Sequence, residues 1–282
     1  MPGRNFRLQD YAAYAARAGA ATYIDCTRRT DPARVPEVWQ NLRAVVDAYG
    51  PPWVVQVWTK DPRGVVRQGG ALLAELRRRG TTITCQLTAT GLGGTELEPR
   101  VPADALREAG ELLDLMGGPA HCAWRFDPAL PGLDNLARFE ALAPRAAALG
   151  ITRLVINFAC DPGTYARVDA RLARVFPFWC AGLPGIDPDW KAATARAIVA
   201  RATQLGFATF CCAEGKGLRD LVPGLGPPEC GSFAWFCALS GQTPPRPRSR
   251  GSRRGCGCAD YFDVGCYGKW GACHGCLYCY AG

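Results

Sequence analysis

Six short runs of apolar and β-branched residues recur along the first 212 residues of the chain, and a helical pattern separates each run from the next. Serial β–α units of this kind form parallel sheets with right-handed crossovers. The runs are apolar on both faces, as strands buried in a parallel sheet are. The sequence therefore predicts an α/β fold with strands at 21–26, 53–58, 81–88, 122–126, 154–158 and 208–212.

Polar or ionisable side chains follow nearly every predicted strand, at its carboxyl end. Parallel barrels and open α/β sheets both build their sites at this end. Contributions from six strands converge better in a barrel than at one switch point of an open sheet, so we predict a partial, TIM-like (β/α)6 barrel over residues 1–221. Its mouth is expected to hold Arg28, Arg29, Asp31, Thr59, Lys60, Gln86, Thr88, Arg125, Asp127, Asn157 and Glu214.

The chain changes in character after the sixth strand. Residues 222–255 are rich in glycine, proline and arginine, which predicts a connector, and residues 256–282 form a cysteine-rich tail too short to bury a core alone. The connector's run at 243–254 contributes five arginines and no acid, and without those charges the formal net charge would fall from +8 to +3. Global charge therefore gives little support for nucleic-acid binding.

The N-terminal twenty residues carry scattered charges, and no apolar run in the chain reaches the roughly 18 residues that a membrane helix needs. We therefore expect a cytoplasmic protein that does not bind membranes. Thiols stay reduced in that compartment, and the odd total of fifteen cysteines cannot form a fully paired disulfide framework. Clustered cysteines in this chain are consequently expected to be metal ligands.

Three cysteines close the chain as Cys273-x-x-Cys276-x-x-Cys279. Thiolates at such spacing suit an iron–sulfur cluster or zinc. The spacing favours the cluster, with zinc and unligated thiols left open. Three ligands would leave the fourth iron of a 4Fe-4S cluster free to bind a cofactor, as S-adenosylmethionine does in radical enzymes.

The loops after the sixth strand could bring further cysteines together. Only two histidines are present, which argues against a multi-histidine metal site or a histidine-based triad. One of them, His274, lies inside the tail motif and is expected to pack or hydrogen-bond near the cluster. The candidates for a second metal site are Cys211, Cys212, Cys230, Cys256, Cys258 and Cys266.

Several segments, taken in order along the chain, resemble the family catalogued as domain of unknown function 1848. They are Arg28-Arg29-Thr30-Asp31, Trp58-Thr59-Lys60-Asp61-Pro62, Gln86-x-Thr88-x-Thr90-Gly91 with Leu97-Glu98-Pro99, Trp124-Arg125-Phe126-Asp127-Pro128, Cys212-Ala213-Glu214, Cys230, Cys256-Gly257-Cys258, Asp263-Val264-Gly265 and Cys276-x-Tyr278-Cys279-Tyr280-Ala281. The family looks similar to radical S-adenosylmethionine enzymes and spore photoproduct lyase-like proteins, with its cluster motif at the C-terminus. This chain departs from the family pattern at Ala272, where the first cysteine of the last motif is expected, and after Cys230, where Gly-Ser replaces Ile-Asp.

The resemblance implies a 4Fe-4S cluster on the last three cysteines, and the family's cysteine pattern suggests a second, four-thiolate cluster on Cys212, Cys230, Cys256 and Cys258. The protein would then cleave S-adenosylmethionine reductively and act on a small molecule in the barrel, with an electron donor such as ferredoxin or flavodoxin. Basic residues would hold carboxylate or phosphate groups, and acidic residues would bind ribose or amino groups or transfer protons. The first set is Arg28, Lys60 and Arg125; the second is Asp31, Asp127 and Glu214; and cofactor contacts are expected from Arg29, Thr59, Gln86, Thr88, Asn157 and Tyr278.

Two other interpretations stay open on the sequence. One is an iron–sulfur protein without radical chemistry, either an electron-transfer module or a redox sensor, which a mouth plugged by side chains would favour. The other is a zinc-stabilised nucleic-acid-binding protein that uses the arginine run and the tail aromatics. Metal analysis separates the two, because the first binds iron and the second binds zinc.

Overall fold

The computed structural model describes residues 5–179, 185–212, 215–246 and 256–281. Glu214 and most of the arginine run at 243–254 lie outside these ranges. Within them, seven strands form one parallel sheet in the order β6-β5-β4-β3-β2-β1-β7. The strands are β1 (Tyr23–Cys26), β2 (Val54–Thr59), β3 (Thr82–Thr88), β4 (Cys122–Ala129), β5 (Arg153–Phe158), β6 (Ala208–Cys211) and β7 (Phe262–Asp263).

Helices connect successive strands, and three of them begin at an aspartate that caps the first turn. Asp61 accepts a hydrogen bond from the Gly64 amide, and Asp134 accepts one from the Ala137 amide. Asp187 caps a helix whose first residue is a proline. In the described ranges the helices are α1 (Leu8–Ala18), α2 (Glu37–Tyr49), α3 (Pro62–Arg78), α4 (Gly110–Met116), α5 (Asn135–Ala148), α6 (Ala166–Leu172), α7 (Pro188–Gln204), α8 (Gly215–Leu221) and α9 (Phe233–Ser240).

One side of the sheet packs on the helices. Sequential strands that are also neighbours need crossovers of a single hand, and such crossovers place the helices on one side. Trp124 of β4, for example, stacks on Phe139 of α5 with ring centroids 5.2 Å apart. The side chains that alternate toward this main core include Ile24, Val55, Val57, Ile83, Leu87, Trp124, Phe126, Leu154 and Ile156.

The other side, called the inner side below, carries polar residues and is covered by the C-terminal part of the chain. Phe236 of α9 contacts Tyr23 of β1, with ring centroids 4.7 Å apart. Cys230 and Cys258 pack on the inner side against β4 and β5. The buried polar residues that alternate toward this side are Asp25, Gln56, Thr84, Gln86 and Arg125.

The predicted α/β fold with a parallel sheet is confirmed, and all six predicted strands are present. The structure adds β7, in which Phe262 and Asp263 pair with Ile24 and Asp25. Two residues are too few to show an alternating pattern, so no sequence pattern indicated this strand. The pairing of the described strands does not close the sheet, and closure into a barrel stays a prediction. Among the described helices, none is long and apolar enough to cross a membrane.

Candidate functional site

A cavity of about 530 Å³ is lined both by residues at the carboxyl ends of the strands and by residues of the C-terminal tail. Two predicted site residues, Gln86 and Cys258, do not line the cavity. Both are buried and hydrogen-bonded to Cys230, which does line it. Glu214 lies outside the described residues. The predicted residues that the cavity brings together are Arg28, Arg29, Asp31, Thr59, Lys60, Thr88, Arg125, Asp127, Asn157, Tyr278, Cys212, Cys230, Cys256, Cys273, Cys276 and Cys279.

Asp25 is a buried carboxylate on the inner side of β1. It accepts hydrogen bonds from the Tyr23 hydroxyl (2.5 Å) and the Trp58 indole (2.8 Å), and it forms an ion pair with Arg28. Burial raises the pKa of Asp25 to about 6, even though the Arg28 guanidinium acts in the opposite direction. The strand therefore holds a proton-binding group directly below the cavity.

A chain of hydrogen bonds continues from β2 across the inner side of the sheet. Gln86 donates from Nε2 to Oε1 of Gln56 (3.2 Å) and accepts from Arg125 (3.4 Å). Arg125 pairs with Asp127, which accepts from the Asn157 amide at 3.2 Å. Because each buried polar group has a partner, the network stays ordered in a low-dielectric interior. It joins the strands that position the predicted residues.

The tail docks on the end of β1 through His274. Its Nε2 lies 2.8 Å from Oδ2 of Asp31, and the histidine is 2% exposed. Asp31 also accepts from the Thr59 hydroxyl (2.9 Å) and the Lys60 amide (2.6 Å), so three segments meet at one carboxylate. The Asp31 amide in turn lies 3.3 Å from Sγ of Cys273. The expected hydrogen bond of His274 near the tail thiols is thus present.

A second docking contact is made by Tyr278, between the last two cysteines. Lys60 lies 2.8 Å from Oε1 of Glu98 and 2.9 Å from the Tyr278 hydroxyl, which itself donates to Glu98. Thr90 donates to the same carboxylate oxygen at 2.8 Å. Burial alone would raise the pKa of Glu98, but the Lys60 ammonium and the hydrogen bonds lower it below its ordinary value. Glu98 is therefore charged and holds the tail in place.

The three basic residues expected to hold an anionic ligand already have carboxylate partners within the protein. Arg28 pairs with Asp25, and Lys60 pairs with Glu98. Arg125 pairs with Asp127. The faces of Arg28 and Arg125 also lie over the Trp58 ring, at 4.9 and 4.8 Å from its centroid. Their role as anion-binding groups stays a prediction.

The three tail thiols differ in exposure, with Cys276 buried and its two neighbours partly buried. Burial raises the pKa of Cys273 to about 11, and it raises the pKa of Cys276 further. Within the described residues, no three histidine, cysteine, aspartate or glutamate side chains already stand in the arrangement of a metal site. What the structure offers a metal is therefore the thiol spacing and a shared cavity.

Four other thiols form a chain of contacts on the inner side. The Sγ atoms of Cys230 and Cys258 are 3.4 Å apart. Cys212 hydrogen-bonds Cys230, and Cys256 hydrogen-bonds Cys258. The hydrogen bonds from Cys212 and Cys258 lower the pKa of Cys230 well below its ordinary value. The sequence-based expectation that these four residues meet is consistent with this geometry.

Sequence reasoning assigned no role to three acidic residues that organise the site: Asp25, Glu98 and Asp263. Asp263 of β7 accepts from the Thr27 hydroxyl (2.5 Å) and the Arg28 amide (3.2 Å) and so fixes the loop after β1. Asp25 and Asp263 each stand between apolar residues, and an acid in that position is the available signal for a buried, partnered carboxylate; Glu98, with Glu96 two residues before it, gives no such signal.

Comparison with known proteins identifies a family. A family model described as Domain of unknown function (DUF1848) matches residues 50–281, so the chain belongs to that family. No curated protein matches the chain. Two solved structures are similar at low identity. A probable tagatose 6 phosphate kinase from Sinorhizobium meliloti 1021 is 17% identical over 69% of this chain and 39% of its own, with a TM-score of 0.29. The carboxyl transferase domain of Rhizobium etli pyruvate carboxylase is 12% identical over 85% of this chain and 50% of its own, with a TM-score of 0.26.

Proposed function

We propose that this member of the DUF1848 family binds an iron–sulfur cluster through Cys273, Cys276 and Cys279 and uses it, with S-adenosylmethionine, to act on a small molecule. One observation carries the proposal: the three tail thiols line the same cavity as the polar side chains at the carboxyl ends of β1 to β5. This is the end at which parallel α/β folds build active sites.

The residues present fit such a cluster in donor type and in support. Thiolates are its usual ligands, and three of them leave an iron free for a cofactor. Each Cys-x-x-Cys spacer also carries one docking residue, the buried His274 in the first and the half-buried Tyr278 in the second. These contacts hold the tail backbone on both sides of Cys276, which keeps the three thiols at the cavity.

The sheet supports the finer fold proposal, a partial (β/α)6 barrel. Successive strands are neighbours from β1 to β6, helices α2 to α5 and α7 pack on one side, and the inner side carries the polar network, with α9 packed against β1. In an open doubly wound sheet, helices would cover both sides. The C-terminal segment would complete the enclosure that the six strands begin.

When bound, the cluster would supply one electron, received from a donor such as ferredoxin or flavodoxin, for reductive cleavage of the S-adenosylmethionine sulfonium. The chain's own residues would bind and orient the cofactor and the substrate. Asp31 and Asn157 present hydrogen-bonding groups to the cavity, and Trp58, Tyr165 and Tyr280 give it aromatic walls that exclude water. Asp127 offers a carboxylate for a proton or an amino group.

The pairing of Arg28, Lys60 and Arg125 with carboxylates favours a second candidate, an iron–sulfur protein that transfers or senses electrons without radical chemistry. Cations already neutralised by the protein are poorer anchors for an anionic substrate. The two candidates share the cluster and differ in whether S-adenosylmethionine binds it.

Anaerobic purification of the full chain, with iron and sulfide counted and spectra recorded before and after adding S-adenosylmethionine, tests the proposal. We expect iron and sulfide in equal amounts and, once dithionite has reduced the cluster by one electron, a change in its electron paramagnetic resonance signal on adding the cofactor. A full cluster whose signal does not change would exclude the radical chemistry and leave electron transfer. Protein without iron would exclude both candidates.

A further inference from the structure

Four thiols from three distant segments meet on the inner side of the sheet. Cys212 follows β6, Cys230 precedes α9, and Cys256 and Cys258 precede β7. They form one continuous chain of sulfur contacts, of which the Cys230–Cys258 contact is 3.4 Å long. The Gly231 amide donates to Sγ of Cys258 at 3.3 Å. Such convergence needs an explanation, because structural buried cysteines usually occur singly as small apolar residues.

A half-buried cation whose buried Nε has unused hydrogen-bonding capacity lies beside these thiols. Arg153 of β5 interacts electrostatically with Cys230 and Cys258. Its side chain lies over the Phe210 ring at 3.6 Å from the centroid and donates to the Glu229 carbonyl at 2.7 Å. Its Nε is buried and has no hydrogen-bond partner among the described residues. A guanidinium in this position favours a negative charge beside it.

We propose that Cys212, Cys230, Cys256 and Cys258 bind a second, all-thiolate metal centre, Zn²⁺ or an iron–sulfur cluster, whose negative charge Arg153 compensates. Four thiolates around a divalent core carry a net charge of about −2, of which the Arg153 guanidinium offsets one unit. Ligation releases the thiol protons to solvent, and no electron transfer is needed.

The thiols stand in a chain and not yet around a common point. Cysteine side chains turn between staggered positions about the Cα–Cβ bond, so the backbone that gathers four sulfur atoms also lets them turn toward one centre. With four protein ligands the centre would be closed. It would therefore stabilise the covering segment or relay electrons, in contrast to the open tail cluster.

The proposal does not depend on S-adenosylmethionine or on the tail cysteines, so its failure and theirs are distinguishable. The test compares full-length wild type with two variants, Cys230→Ser/Cys258→Ser and Cys273→Ser/Cys276→Ser/Cys279→Ser, all purified anaerobically. Iron, sulfide and zinc are counted per chain, and circular dichroism checks folding. Cys237→Ser, a half-buried cysteine outside the cavity, is the matched control.

We expect the tail triple variant to keep the metal of one centre and the inner double variant to lose that metal while keeping the tail cluster. If the inner double variant does not fold, wild type answers the question through alkylation. The four inner thiols should resist a thiol reagent until a chelator is added. Two results would overturn the proposal. One is the loss of all metal from the tail triple variant, and the other is reaction of the inner thiols of wild type before a chelator is added.

Arg153 provides a second readout that a purely structural role would not change. We expect Arg153→Gln to lower the affinity of the inner centre, measured by chelator competition, by about tenfold, since outer partners of metal ligands contribute on this scale. Arg153→Lys keeps the charge and should restore part of the affinity. Unchanged metal affinity in Arg153→Gln would show that Arg153 does not support the inner centre. An Arg153→Gln variant that is less stable but binds the metal as wild type does would contradict the role proposed for this residue.

Discussion

The two sides of the sheet carry side chains of opposite character, apolar on one side and polar on the other. On the helix-facing side, alternate strand residues such as Trp124 are apolar and pack against helix residues such as Phe139. On the inner side, the next residue along the same strand, Arg125, joins a polar network below the cavity. A strand that slipped by one residue would exchange the two sets, so the register specifies fold and site together.

The helix-facing side of the sheet provides most of the stability, and the inner side carries the candidate site. Apolar burial on the helix side contributes free energy in proportion to the area removed from water. Polar groups on the inner side contribute little net stability and cost much when a partner is removed. Substitutions on the two sides should therefore differ in kind.

On the helix-facing side, Phe139→Ala should lower the free energy of unfolding by about 3 to 5 kcal/mol, because it leaves a cavity against Trp124. Leu136→Ala is the control in the same helix, and since Leu136 is 42% exposed, it should change stability by less than about 0.5 kcal/mol. Denaturant unfolding measures both. Similar losses in the two variants would mean that α5 does not bury the face described here.

At the site, Lys60→Met should lower the free energy of unfolding by about 3 kcal/mol, because it leaves the Glu98 carboxylate buried without its cation. Adding Glu98→Gln to the same chain should recover part of the loss. The exposed pair of Lys269 and Glu37 gives the control, and Lys269→Met should leave stability unchanged within error. A double variant less stable than Lys60→Met would argue against an orphaned charge.

The raised pKa of Asp25 predicts a pH dependence with a definite sign. The native state holds the Asp25 proton more tightly than the unfolded chain, whose ordinary pKa is 3.8 against about 6 in the fold. The stability that this proton contributes is complete below about pH 4 and is lost as the pH rises through about 6, a loss of about 3 kcal/mol.

The difference in unfolding free energy between wild type and Asp25→Asn isolates this contribution, because other titrating groups are common to both. Between about pH 4 and about pH 6, the unfolding free energy of wild type should fall relative to that of Asp25→Asn. Parallel stability curves would show that the carboxyl is not buried as described.

The smallest effect is expected from Tyr278→Phe, which removes one hydroxyl from the Lys60–Glu98 pair. The loss should be about 1 kcal/mol, since Thr90 and Lys60 still satisfy the carboxylate. Tyr165→Phe, a partly exposed tyrosine at the same cavity, is the control. Equal loss in both variants would mean that Tyr278 does not dock the tail.

Sequence reasoning reached the parallel α/β sheet because six apolar runs of five to eight residues alternate with helical patterns. It also reached most residues of the cavity, because the ends of parallel strands share one edge. It could not reach Asp25 or Glu98, because Asp25 accepts from Trp58 and Glu98 pairs with Lys60, both partners distant in sequence, and it missed β7, which is two residues long. It also assumed free basic groups, whereas each of them pairs with a carboxylate of the protein. Arg28 and Arg125 pair with an aspartate two or three residues away, and Lys60 pairs with Glu98, which is distant in sequence.

Two cysteines on the two sides of the structure give the most direct test of the central claim. Cys85 of β3 is buried in the main core, and Cys276 lines the cavity. The measurement is iron per folded chain after anaerobic purification of Cys85→Ala and Cys276→Ser. We predict that Cys85→Ala loses stability and keeps its iron, while Cys276→Ser keeps its fold and loses cluster iron. Equal iron in Cys276→Ser and wild type would contradict the account.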